Sequence, residues 1–143
     1  MKNASALRGT RRAHNRPVNE KTEALKQRTK QFALDVIGFV RALPDTEPAR
    51  TIRPQLIRAS TGAAANYRAT CRARSRAEFV ARIGVALEEA DESVFWLNFV
   101  ARAGLDETPE QKSLLGEARE LLAIFIASAK TASANRKHGP DGH

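Results

Sequence analysis

The sequence has little of what catalytic and metal-binding sites are made from. It holds a single cysteine, Cys71, so an internal disulfide is excluded, which suits a reducing cytosol. The three histidines, His14, His138 and His143, lie near the ends of the chain, where none can complete a carboxylate–histidine metal site in a helical core. A glycine-rich phosphate loop, a Ser-His-Asp order and a paired-cysteine motif are also missing. We therefore predict no catalytic residue, metal or cofactor, and no enzymatic activity.

Long apolar runs and aromatic residues are scarce as well. No apolar stretch is long enough to cross a membrane, and no apolar segment follows the basic N-terminus as a secretory signal requires. Aromatic residues make up 6% of the chain, too few for the interleaved basic and aromatic pattern of single-strand binders. Tyr67 and Trp96 are accordingly interpreted as core or interface residues.

What the chain does have is basic charge, much of it at the N-terminus. The 143 residues, enough for one domain, carry a net charge of +8, of which the first twenty supply +4. Residues 1–19 lack apolar periodicity and are predicted to form a disordered tail, which is either simply solvated or an electrostatic arm for nucleic acid. Residues 133–143 are predicted to form a second disordered tail, which leaves residues 20–132 for the folded domain.

Four stretches of this domain repeat apolar residues at spacings of three and four, as helices that bury one face do. Leu43-Pro44 ends the first stretch, because proline disfavours helical geometry in the residue before it. The second opens at Thr51 as N-cap, and the fourth fades at Ala132. Short connections and the absence of a strand pattern predict an all-α fold, an antiparallel up-down-up-down four-helix bundle with disordered tails. The predicted helices span about residues 20–43, 51–74, 76–103 and 109–132.

The ends of the third and fourth helices carry capping signals. Ser75 and Glu78 form a capping box, in which the hydroxyl accepts a first-turn N–H and the glutamate reaches back. Gly104 is placed to end the third helix in the left-handed conformation. Thr108 and Gln111 around a proline predict a second capping box at the start of the fourth helix.

The middle of the second helix is unusually thin. Its small residues, which include Ser60 and Gly62, let a neighbouring helix approach closely. Such packing compensates for the loss of about 1 kcal/mol of helix propensity at a glycine. Asn66 lies on this face, and we expect it to be buried and to hydrogen-bond a neighbouring helix, which would fix the register.

Seven arginines occur between residues 50 and 76, with no acidic residue among them. Such a run fits contacts to nucleic-acid phosphates. It also fits a structural role, because antiparallel packing brings the acidic block of the third helix, with Glu88 and Glu92, beside Arg58. Both interpretations stay open: some arginines pair within or between subunits, and the rest are free. The candidate nucleic-acid-binding residues are Arg50, Arg53, Arg58, Arg68, Arg72, Arg74 and Arg76.

Three segments of the sequence resemble a known family, the small four-helix bundle proteins linked to intervening sequences in bacterial 23S rRNA genes. The matching elements are Gln55-Leu56-Ile57-Arg58-Ala59-Ser60, Ala65-Asn66 and Arg74-Ser75-Arg76-Ala77-Glu78-Phe79. The likeness covers about Phe32 to Phe125. The family usually continues the asparagine with a small or apolar pair and then Glu-Gly. Here the continuation is Tyr67-Arg68-Ala69-Thr70, so any role of that glutamate is absent.

The resemblance implies an assembly and a set of partners. It implies an antiparallel bundle that forms a ring-like homopentamer. The sequence is also similar to the accessory proteins of diversity-generating retroelements, which are basic pentamers that engage nucleic acid and a reverse transcriptase. Neither implication follows from the periodicity or the charge of this chain.

Two hypotheses of function follow. In the first, the chain is a non-enzymatic, homo-oligomeric, cytoplasmic four-helix bundle that binds RNA or DNA through arginines of the second helix and the N-terminal arm. In the alternative, it is a homo-oligomeric protein-interaction or scaffold module without nucleic-acid binding, and its arginines pair with the acidic block across subunits. Salt dependence separates the two, because phosphate contacts weaken steeply as salt is added.

Overall fold

Four helices make up the described part of the chain. The computed structural model describes the backbone of residues 16–137 and the side chains of residues 20–135, and no strand occurs among them. This confirms the predicted all-α class. Each helix packs against the next one along the chain, and the first also meets the fourth, as in a bundle. The helices are α1 (Arg16–Arg41), α2 (Ala49–Thr70), α3 (Arg76–Arg102) and α4 (Pro109–Lys137).

Contacts between neighbouring helices give their relative directions. Arg58 of α2 reaches Glu92 of α3, while the later Gly62 lies against the earlier Glu89. Residue numbers thus rise along one helix as they fall along the other, so α2 and α3 run in opposite directions. Gln111 bonds to Leu97 at one end of α4, and Asn135 bonds to Arg76 at its other end. The start of α4 thus meets the end of α3 and the end of α4 meets the start of α3, so α3 and α4 also run in opposite directions.

The observed helix bounds differ from the predicted ones at several ends. Helix α1 begins at Arg16 and α4 ends at Lys137, so helix continues into both segments that were predicted to be tails. The division into a bundle and two disordered tails stays a prediction, because residues 1–15 and 138–143 lie outside the described residues.

The predicted start and end of the second helix were wrong. Thr51 is not its N-cap, because the Pro48 carbonyl already accepts the Ile52 N–H at 3.1 Å and the helix begins at Ala49. The Thr51 hydroxyl instead donates to a Glu47 carboxylate oxygen at 2.6 Å. The helix also stops at Thr70, which is earlier than the predicted junction at residue 74.

The capping of α3 is confirmed. Ser75 Oγ accepts the Glu78 N–H at 3.0 Å, and a Glu78 carboxylate oxygen accepts the Arg74 N–H at 3.1 Å. That bond, followed by one from the Arg82 side chain, lowers the pKa of Glu78. At the other end Gly104 adopts φ +73°. Its N–H bonds to the Ala101 carbonyl and the Leu105 N–H bonds to the Val100 carbonyl, each at 3.0 Å. These bonds make a Schellman motif.

Only half of the predicted capping box of α4 is formed. The Thr108 hydroxyl accepts the Gln111 N–H at 3.3 Å, as expected for an N-cap. The Gln111 side chain does not reach back to the cap. It is buried and donates to the Leu97 carbonyl at 2.8 Å, so it fixes the start of α4 against the end of α3.

The interior divides into two clusters along the bundle. The large core cluster lies where α1 meets α2 and α3 meets α4, and it is built from bulky residues such as Phe39, Leu56 and Leu97. The small core cluster lies toward the α2–α3 connection. It depends on Tyr67 and Phe125, whose rings stack with centroids 5.3 Å apart and planes within 8°, which confirms Tyr67 as a core residue. Burial raises the pKa of Tyr67 well above its ordinary value. The small core cluster consists of Ala63, Tyr67, Ile83, Ala86, Ala90 and Phe125.

The thin part of α2 does permit close approach, but Asn66 does not serve as predicted. A Cβ added at Gly62 would lie 3.0 Å from the Glu89 carboxyl group, so the glycine makes room for that side chain. Asn66 is only half-buried, and its Nδ2 donates to the Gly62 carbonyl of its own helix at 2.8 Å. Its amide therefore finds a partner one turn back in α2 and fixes no register between helices.

Candidate nucleic-acid interface

The arginines in the first half of α2 are held by nearby acceptors of the same chain. Arg50 and Arg53 both approach Asp45 Oδ1, at 3.3 Å each, and Arg53 also donates to the Pro44 carbonyl. Arg58 donates to a Glu92 carboxylate oxygen at 3.0 Å across the α2–α3 interface. These contacts match the structural interpretation of the arginine run, and they leave these guanidinium groups with fewer free donors for a ligand.

Glu89 is the acidic residue of this interface whose environment disfavours its charge. Its Oε2 lies 3.7 Å from Arg58 Nη1 but is buried without a hydrogen-bond partner. Burial raises the pKa of Glu89, and the neighbouring charges of Glu92 and Glu88 raise it further, whereas Arg58 opposes both effects. Of the two residues of the acidic block that were predicted to be structural, Glu92 pairs as expected. Glu88 is exposed and makes no ion pair with the described residues.

The arginines at the end of α2 and in the following connection differ from those before them. Arg68, Arg72 and Arg74 are all exposed, and their side chains have no hydrogen bond or ion pair within residues 20–135. Because α2 ends at Thr70, Arg68 lies on the helix, whereas Arg72 and Arg74 lie in the connection after it. Arg76 opens α3 and donates to the Asn135 carbonyl at 2.7 Å. We refer to Arg68, Arg72 and Arg74 as the free arginine cluster.

This cluster has the chemistry of an anion-binding surface. Three guanidinium groups lie within seven residues of sequence, and none of them forms an ion pair with a carboxylate of residues 20–135. Each group offers planar donors that match phosphate oxygens. Such groups suit contacts to a charged backbone, whereas base stacking requires aromatic side chains.

The described residues offer little for other chemistry. Among residues 20–135 no group of three or more His, Cys, Asp or Glu side chains is placed to hold a metal ion. Within the same part of the chain, no helix is both long enough and apolar enough to cross a membrane.

One exposed feature was missed by sequence reasoning. Phe95 and Phe99 of α3 are 55% and 42% exposed, and their rings contact each other at a centroid distance of 5.8 Å. Trp96 lies against both rings and is half-buried on the large core cluster. The signal was present in the sequence, because α3 carries a second series at spacings of three and four beside its buried face. Val85, Phe95 and Phe99 belong to that series.

The described residues form a small four-helix bundle with an exposed basic cluster, and sequence comparison gives the family. The chain belongs to the family of 23S rRNA-intervening sequence proteins, whose model matches residues 21–127. No curated protein matches the sequence.

A solved structure supports the same family. The chain is similar to a protein of unknown function from the S23 ribosomal protein family of Bacteroides thetaiotaomicron, with a TM-score of 0.70 and 25% sequence identity. The match covers 77% of this chain and 98% of that one. The predicted resemblance is therefore confirmed, and the matched region extends over all four helices.

Proposed function

We propose that this chain is a non-enzymatic, cytoplasmic, antiparallel up-down-up-down bundle that assembles with copies of itself and binds the phosphate backbone of RNA or DNA. The observation that carries the proposal is the free arginine cluster of Arg68, Arg72 and Arg74. Its three exposed guanidinium groups form no hydrogen bond or ion pair within residues 20–135 and so remain available to phosphate oxygens. The side chains of the basic N-terminal arm, residues 1–19, lie outside the described residues, and the arm is proposed to add to this surface.

The family supplies the first probes. Its description ties these proteins to intervening sequences of 23S rRNA, so structured RNA is the first ligand to test. The resemblance further suggests five copies as the size of the assembly and a reverse transcriptase as a protein partner.

A second candidate function rests on a different observation. The exposed rings of Phe95 and Phe99 are typical of a surface that is covered by another protein. In this alternative the chain is a homo-oligomeric interaction module that does not bind nucleic acid, and the free arginines remain solvated.

Size-exclusion chromatography with light scattering tests the proposal. The 260/280 nm absorbance ratio is recorded before and after nuclease treatment, and affinity for a fluorescent RNA is then measured over a range of salt concentrations. We expect an oligomer that carries nuclease-sensitive nucleic acid and loses affinity steeply with salt. An oligomer that stays free of nucleic acid at low salt and ignores the RNA would instead establish the interaction module. A stable monomer would contradict self-assembly in both.

A further inference from the structure

The outer side of α3 presents an apolar and acidic surface. Val85, Glu88, Glu92, Phe95 and Phe99 follow at spacings of three and four and are all exposed, so they share one side of the helix. Val85 is 43% exposed. Glu88 has no partner among residues 20–135. Among the same residues, Glu92 forms an ion pair with Arg58 alone. We call these five residues the α3 outer face.

A groove between α1 and α2 has the opposite charge. It encloses about 590 Å³, and its apolar lining includes Leu34, which is 52% exposed, Ile37, Ala64 and Ala65. The two alanines belong to the thin stretch of α2. Both alanines line the groove, and their small side chains leave space there for a large side chain.

The rim of this groove is basic. Lys26, Lys30 and Arg68 line it, and Glu23 is the one acidic lining residue, already bound to Lys26 at 3.0 Å. The remaining charge of the rim is therefore positive. We call this site, with its apolar lining, the α1–α2 groove.

The two surfaces complement each other. The α3 outer face combines protruding aromatic rings with carboxylates, whereas the α1–α2 groove combines an apolar recess with ammonium and guanidinium groups. Each surface repels a copy of itself through like charge and attracts the other. They lie on different helices of the same chain, so one chain carries both halves of a contact.

We propose that the α3 outer face of one copy packs into the α1–α2 groove of a second copy. Phe95 and Phe99 enter beside Leu34 and the alanines, and the acidic residues meet the basic rim. A contact between two different surfaces is heterologous, so assembly proceeds head to tail and ends when a ring closes. The inference rests on the self-assembly in the proposed function and specifies its geometry.

Two variants with equal changes in charge test the contact. The face variant is Phe95→Asp/Phe99→Asp, and the groove variant is Leu34→Asp/Ala65→Asp. All four residues are exposed, so the bundle should fold, which circular dichroism and thermal unfolding verify. Ala42→Asp/Ala123→Asp changes two exposed alanines outside both surfaces and is the matched control.

Light scattering on the separate and mixed variants distinguishes the outcomes. We expect the wild type and the control to form the same oligomer and each test variant to be monomeric alone. An equimolar mixture should give a dimer with one copy of each variant, because one intact face and one intact groove remain to meet. Should either variant unfold, Phe99→Ser and Leu34→Ser replace it and must still weaken assembly at least tenfold.

Other outcomes overturn the inference and separate it from the proposed function. A groove variant that assembles like the wild type removes the groove from the interface, while self-assembly itself stands. Two monomeric variants that fail to combine when mixed would rule out a head-to-tail contact. A monomeric wild type contradicts the self-assembly and this inference together, while RNA binding remains a separate measurement.

Discussion

The two ends of the bundle differ in how they are held together. At the end where α1 joins α2 and α3 joins α4, the large core cluster is filled by bulky side chains, and Arg50, Arg53 and Arg58 find carboxylates. Toward the α2–α3 connection, the small core cluster is rich in alanine and depends on one stacked aromatic pair. The free arginine cluster lies at this second end.

The comparison shows that position decides what an arginine does. All six of these arginines belong to α2 or the connection after it, and no acidic residue separates them in sequence. Those near Asp45 or opposite the acidic block of α3 become structural. Arg68, Arg72 and Arg74 form no such contacts within residues 20–135, so the second end combines an alanine-rich core with arginines that lack an ion pair there. Under the proposed function, the first end supplies structural stability and the second end would bind the ligand.

The largest expected effect concerns the stacked pair. Phe125→Ala should lower the free energy of unfolding by about 3–5 kcal/mol, because it removes a buried ring from a cluster with few large side chains. Chemical denaturation measures the loss, and hydrogen exchange should show α2 opening near Tyr67. Leu121→Ala in the large core cluster is the control, with a loss of about 2–5 kcal/mol but no selective opening at Tyr67. Equal exchange in both variants would contradict the division into two ends.

The next effect tests the first end. Gln111→Leu should cost about 1–3 kcal/mol, because the buried hydrogen bond to the Leu97 carbonyl is lost and the contact between α3 and α4 loosens. Thermal and denaturant unfolding measure it. Gln31→Leu changes an exposed glutamine of α1 and should stay within about 0.5 kcal/mol of the wild type. A neutral Gln111→Leu would mean that this bond does not hold the first end together.

A smaller effect is expected at the start of α3. Ser75→Ala should cost about 1 kcal/mol, because the Glu78 N–H loses its cap. Ser75→Asp should restore most of the stability, since aspartate caps as well. Ser113→Ala on the exposed side of α4 is the control, and a loss of the same size there would show that the cap is not the cause.

The smallest expected effect is a pH dependence of stability caused by Glu89, which lies between the two ends of the bundle. Because burial raises the pKa of Glu89 above its ordinary value of 4.5, the folded chain binds this proton more tightly than the unfolded chain does. The contribution of Glu89 to stability is therefore complete below pH 4.5 and falls as the pH rises through the raised value. Glu89→Gln should be more stable than the wild type at pH 7, with a flatter pH dependence.

Thermal unfolding between pH 4 and 8 checks this prediction. Glu107→Gln removes one exposed carboxylate far from Gly62 and should leave the shape of the curve unchanged. If Glu89→Gln were less stable than the wild type at pH 7, the pair with Arg58 would outweigh the cost of burial.

Much of the fold could be predicted from the sequence because it follows from periodic burial and local capping. The buried face of α3, the Ser75 cap and the Gly104 terminus all depend on residues within a few positions of one another. The start of α2 could not be predicted in the same way, since Thr51 has a side chain that favours an N-cap, whereas the observed start depends on the backbone of Pro48. The Pro48 carbonyl accepts the N–H groups of Thr51 and Ile52, so the first turn of the helix begins there.

Less of the candidate site could be predicted, because pairing depends on which residues meet across helices. The proximity of Arg58 to the acidic block followed from antiparallel packing, but the sequence could not show that Glu92 pairs and Glu88 does not. Asn66 illustrates the same limit. Its side chain hydrogen-bonds the Gly62 carbonyl one turn away in its own helix and not a neighbouring helix. The exposed Phe95 and Phe99 were hidden by the stronger buried series of the same helix.

The most direct test compares two double variants that remove equal charge from the two ends. Affinity for RNA, its salt dependence and the melting temperature are measured for Arg72→Ala/Arg74→Ala and for Arg50→Ala/Arg58→Ala. The first changes the free arginine cluster but spares Arg68, which also lines the α1–α2 groove. The second removes contacts to Asp45 and Glu92.

We expect the first variant to lose about tenfold or more in affinity, with a salt slope smaller by about 2 and an unchanged melting temperature. The second should keep its affinity and melt at a lower temperature. Equal losses of affinity in both would mean that only total charge matters, and an unchanged affinity in the first would contradict the assignment of ligand binding to the free arginine cluster.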